Sequence, residues 1–156
     1  MILDEVRMTV DDTQILVYAA SHPSPGLLWT DDHVAQGFAW SEGLVSFGVP
    51  DHDGPCRLQI LREDSPGPDP VALWAVQVPF RVEEPLAIGS VFETHEMALP
   101  HGPHALIFEG LPGGADHAYV LRLRFVPTPA PGFAVLKTGP GATSPVVLRD
   151  DARIAR

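Results

Sequence analysis

His95, Glu96, His101, His104 and Glu109 bring three imidazoles and two carboxylates into residues 95–109. These are the donor types that hold divalent metals. A zinc-protease reading needs His-Glu-x-x-His on one helical face. Here Leu99 stands at the second histidine position and Pro100 argues against a helix. The run His101-x-x-His104-x-x-x-x-Glu109 approximates a cupin ligand set, which makes a cupin-like metal-binding enzyme one alternative; imidazoles beside a turn are more often ordinary surface residues. Asp51-x-Asp53-Gly54 opens like a calcium loop. Pro55, Cys56 and Arg62 then occupy the places of a ligand, a glycine and a glutamate. Lys137-Thr138-Gly139 shares its order with penicillin-binding enzymes, but Ala134 stands where their serine nucleophile would be. Gly132-x-x-x-x-Lys137-Thr138 lacks the second glycine of a phosphate loop, and Gly-x-Ser-x-Gly does not occur. No nucleophile–base pair emerges, so the expectation is a protein that is not an enzyme and uses neither metal nor cofactor.

Charge narrows the binding classes. The 156 residues carry a formal net charge of −10. Residues 1–110 hold seventeen acids against four bases, and residues 111–156 hold three against six. Ten basic residues in such a chain make no phosphate track, so direct nucleic-acid binding is not expected. Arg122 and Arg124 read as a solvated strand face paired with nearby acids. An acidic field favours encounter with basic partners, although acidity alone also serves solubility. The lone Cys56 excludes an intramolecular disulfide and suits a reducing compartment. Acids at Asp4 and Glu5 stand where a secretory signal would need basic residues, and no apolar run is long enough to span a bilayer. A cytoplasmic protein is expected, any membrane association arising through its partner.

The elements that position these residues read mainly as strands. Trp74, Val76, Val78, Phe80 and Val82 alternate with smaller or polar residues, as do Tyr119, Leu121, Leu123 and Phe125. Shorter runs occur at Ile15–Ala19, Leu58–Ile60 and Ala105–Phe108, with weaker ones at Val91–Leu99, Phe133–Leu136 and Val146–Leu148. Such alternation marks strands with one buried face. With 14 glycines and 17 prolines supplying turns, it predicts an all-β fold, mainly an antiparallel sandwich, in a single domain over 1–156. Pro79 cannot donate to a ladder and is expected at an edge or bulge. Thr30 can cap one short helix near residues 31–37, with Asp31 and Asp32 in its first turn and Gly37 as its stop.

Residues 28–47 combine these signals: Trp29-Thr30-Asp31, Gly37-Phe38-Ala39, Glu42-Gly43 and Ser46-Phe47. A second block reads Val78-Pro79-Phe80-Arg81-Val82, followed by Leu99-Pro100-His101-Gly102. In order and spacing, from about Trp29 to Leu111, these motifs resemble the competence protein J (ComJ, or Nin) family. Members of that family inhibit the DNA-entry nuclease of naturally competent bacteria. The resemblance implies an immunity-type inhibitor whose partner is a DNA-entry-type nuclease or a related nuclease toxin.

Charge supplies a mechanism for such an inhibitor. A cleft that receives phosphates is positive, so an acidic surface can occupy it and exclude DNA. Acids at expected loop tips and strand surfaces are the candidates for contact: Asp31, Asp32, Asp51, Asp53, Glu63, Asp64, Glu93 and Glu96. Asp31 and Asp32 have a second reading as residues that favour a helix start. Trp29, Phe38, Trp40, Phe47 and Trp74 read as core or loop anchors, with an exposed tryptophan as the exception that would suggest a partner contact. A non-catalytic structural β-sandwich is the remaining alternative.

Overall fold

Period-two alternation becomes strand through most of the chain. The structure is a computed structural model, described here for residues 2–10, 13–22, 26–50, 54–63, 69–90, 94–114 and 117–154. In chain order its elements are β1 (Ile2–Val10), β2 (Gln14–Ala19), α1 (Asp31–Gln36), β3 (Phe38–Ser41), β4 (Leu44–Gly48), β5 (Gly54–Arg62), β6 (Trp74–Val82), β7 (Leu86–Gly89), β8 (Thr94–Met97), β9 (Gly102–Gly114), β10 (His117–Pro127) and β11 (Ala134–Lys137). The all-β expectation holds, as does the single short helix.

Six strands form one sheet in the order β1-β5-β10-β9-β6-β11, and five form the other in the order β3-β4-β2-β7-β8. Every pairing between these strands is antiparallel except β5 with β10, where Val120 to Phe125 run alongside Arg57 to Arg62 in the same direction. The two inner faces share one core. Val17, Val45, Phe47 and Ile88 from the smaller sheet join Leu58, Val76, Phe108 and Leu123 from the larger. Phe47 and Phe108 stack across the gap with ring centroids 4.7 Å apart. Each such side chain contributes about 1.5–3 kcal/mol on full burial.

In β6 the inner residues Trp74, Val76, Val78, Phe80 and Val82 are all buried, whereas Gln77 and Pro79 are half-buried and Arg81 is exposed. Pro79 lies opposite Ala105 on β9, while β11 pairs only with Ala75, Val76 and Gln77. Beyond β11 this side of β6 has no strand partner among the described residues, so the proline sits at a local edge as expected. The bulge in this pairing falls between Val135 and Lys137 instead. Val146–Leu148, expected as a weak strand, is irregular chain. That segment belongs to a strap, residues 144–154, that crosses α1, where side-chain hydrogen bonds replace a ladder.

Candidate partner-binding surface

The helix is held at both ends by its own residues. The Thr30 backbone N–H donates to His33 Nδ1 at 2.8 Å. The ring must therefore carry its proton on Nε2, which donates to the Asp151 carbonyl at 2.8 Å. His33 thus takes the reciprocal role that glutamate or glutamine plays in a capping box, and also grips the strap. Gly37 ends the helix at φ 86°, a left-handed conformation that suits glycine. A Cβ there would also lie 2.4 Å from the Gly141 carbonyl oxygen.

Gln36 is fully buried. Its Oε1 accepts from the Leu148 and Arg149 amides at 2.9 Å each, while Nε2 donates to the Phe38 and Arg149 carbonyls at 3.0 and 2.7 Å. All four bonding positions of the amide are used. Further bonds from Ser144 N–H to the Ala35 carbonyl and from Leu28 N–H to the Arg153 carbonyl fasten the strap along the helix. Neither His33 nor Gln36 was singled out by sequence. The available signal was a polar residue at a buried helical position, which has meaning only once the strap is in place.

This frame leaves Asp31 and Asp32 exposed on the first turn of α1. Glu96 is exposed on β8, an edge strand of the five-stranded sheet. Glu63 has a structural attachment: its carboxylate accepts from Arg124 Nε and Nη2 at 3.1 and 2.5 Å. Asp51, Asp53, Asp64 and Glu93 lie outside the described residues.

Arg124 continues inward to Glu109, whose side chain is wholly buried, at 3.2 Å. Glu109 also accepts the Asp69 amide N–H at 2.6 Å. Asp69 in turn receives Arg122 at 3.0 Å. The Val71 amide and then Arg122 hold the Asp69 carboxyl below its ordinary pKa. Arg122 and Arg124 are therefore paired with acids as expected. Arg124 is buried, however, so it is not part of a solvated face.

The histidine–carboxylate cluster does not converge. His104 lies on the inner face of β9 beside Phe125, with ring centroids 6.0 Å apart. Glu109 occupies the opposite face of that strand and is bonded to Arg124. His95 and Glu96 belong to β8 in the other sheet. Among the described residues no three histidine, cysteine or acidic side chains form a metal-holding group.

Residues 7–126 match the family model for Competence protein J (ComJ). This chain belongs to the ComJ family. The matched span runs from β1 to β10 and includes α1; β11 and the strap fall outside it. Among solved structures, the ComJ-family fold is similar to ComJ from Bacillus subtilis, described as an inhibitor of the DNA degrading activity of NucA. The TM-score is 0.71 at 22% identity, covering 82% of this chain and 98% of that one. A protein described as crocagin biosynthetic gene J shares the fold at TM-score 0.55 and 19% identity, covering 79% of this chain and 95% of that one. The search of curated proteins gives no match. Among the described residues no helix is long and apolar enough to cross a membrane.

Proposed function

We propose that this ComJ-family protein is a non-catalytic inhibitor of a DNA-entry-class nuclease, acting as one domain in the cytoplasm. Membership in the family carries the reading, and the fold it shares with a protein described as an inhibitor of NucA's DNA-degrading activity supports it. The net charge of −10 supplies the means. Exposed carboxylates, Asp31, Asp32 and Glu96 among them, face the cationic cleft in which the nuclease holds phosphates. They occupy it without offering a scissile bond. Asp51, Asp53, Asp64 and Glu93 extend the proposed contact set, and Glu63 contributes whatever charge its Arg124 pair leaves uncompensated.

The test mixes the protein with a purified DNA-entry-class nuclease and follows DNA cleavage as salt rises. Cleavage should stop at stoichiometric protein in low salt and return as the screening length contracts from about 10 Å at 0.1 M to about 3 Å at 1 M. Undiminished cleavage at excess protein sinks the inhibitor reading. Inhibition of equal strength at every salt concentration sinks the electrostatic mechanism alone.

A further inference from the structure

A cleft of about 340 Å³ opens beside α1, lined by Trp29, Val34, Val49, Pro50 and Pro140 together with Thr13, Gln14 and three glycines. Its walls are mostly apolar. The volume lies at the low end of small-ligand sites, about 300–1,000 Å³, and has room for a bulky side chain.

Trp29 differs from the other two tryptophans. Trp74 is completely enclosed, and Trp40 is fixed by a 2.8 Å bond from Nε1 to the Pro79 carbonyl. Trp29 is only half-buried, and its Nε1–H, like that of Trp74, is buried with no acceptor among the described residues. Its ring meets His33 edge-on, with centroids 6.2 Å apart, and packs against the cluster of Leu16, Leu27, Ala39 and Leu44 while also lining the cleft. At the lip, Val34 is 65% exposed in the middle of α1, on the same two turns as Asp31 and Asp32. Leu28, Val146 and Leu148 are also exposed near that helix, held there by the strap. Acids neighbour the lining in sequence as well: Asp12 precedes Thr13 and Asp51 follows Pro50.

We propose that this cleft is the anchor pocket of the nuclease interface. It receives one bulky apolar side chain from a segment of the nuclease that also carries lysine or arginine. The inference rests on the inhibitor reading above and locates its centre. Aromatic anchors in partly enclosed apolar pockets dominate many interfaces, while surrounding charges guide approach and register. Asp31 and Asp32 supply that rim, and the apolar lining supplies the anchor site. Pro140 and Gly141 line the cleft from outside the family-matched span, so partner choice depends partly on a wall contributed by this chain's own C-terminal segment.

The experiment compares wild type, Val34→Arg and the double variant Asp31→Asn/Asp32→Asn for affinity to the DNA-entry-class nuclease that the wild type inhibits. It also follows the indole N–H resonance of Trp29 in isotope-labelled protein. Val34→Arg places a cation on an exposed helical position and should melt as wild type does. Its affinity should fall about 30-fold or more, the loss expected at a central anchor. The double variant should bind several-fold more weakly and with a shallower salt dependence. The Trp29 resonance should move on saturation with nuclease. If wild type inhibits and Val34→Arg inhibits equally, the pocket is overturned while the inhibitor reading stands. An unmoved Trp29 resonance in the saturated complex overturns it too, as does a shift produced by protein concentration alone, which would mark a second copy as the occupant. If wild type neither binds nor inhibits, the inhibitor reading itself has failed.

Discussion

Trp74 shows how narrowly single positions are fixed in this protein. A Cβ on Gly110 would lie 2.2 Å from its ring, and one on Gly141 would lie 2.1 Å away. Both contacts are with a ring completely enclosed in the core, so it cannot swing aside. Gly110→Ala should therefore destabilise by about 1–3 kcal/mol, the usual cost of overpacking. That would lower the melting temperature by about 2–4 °C per kcal/mol in a chain of this size; thermal denaturation checks it. His104 gives a pH-dependent counterpart. Its Nδ1–H donates to the Gly102 carbonyl at 2.9 Å, leaving Nε2 as a buried lone pair. Burial, aided by the Arg62 charge, lowers its pKa and outweighs the Gly102 bond. The unfolded chain then binds this proton more readily than the folded one. The contribution is intact above the unfolded value of about 6.5 and declines as pH falls below it toward the folded pKa. Melting temperature against pH should show this decline, and His104→Gln should flatten it. Neither property was legible in the sequence: a glycine's neighbour and a histidine's solvent access are set by distant strands.

At the scale of elements, legibility followed periodicity. β6 was readable to its ends because five apolar residues alternate without interruption, and α1 because Thr30, Asp31, Asp32 and Gly37 each carry a local conformational reason. The strap was not readable. Val146–Leu148 has a strand's composition, yet Gln36 satisfies the Leu148 and Arg149 amides instead of a neighbouring strand. The parallel pairing of β5 with β10 was equally hidden, since alternation reports which face is buried and says nothing about which strand lies alongside. Gln36→Ala should release the strap while leaving the sheets paired. Hydrogen exchange at Leu148 and Arg149 should accelerate well before β6 or β9 loses protection. Equal protection in the variant would show that the remaining strap contacts suffice. The candidate surface was legible only in part: Asp31 and Asp32 are exposed, but the cleft beside them draws walls from four separated stretches of chain.

For the whole molecule, charge asymmetry and topology have different consequences. The acidic excess of residues 1–110 was plain from composition, and it bears on encounter with a basic partner more than on the fold. The position of β10 bears on assembly. This strand lies between β5 and β9 in the larger sheet, although both of them precede it in the chain. Before residues 117–127 are present, β1 can pair with β5 and β6 with β9. These two pairs are linked only through the β2–β7 pairing of the other sheet, with no ladder between them in their own. Until then β5 and β9 each present a bare edge, the kind of surface that recruits foreign strands. Refolding should be slow for the chain length, in the millisecond-to-second range of non-local β topologies, as stopped-flow fluorescence would show. Residues 117–127 are thus the keystone of the larger sheet, and truncation before residue 117 would turn two interior strands, β5 and β9, into adhesive edges.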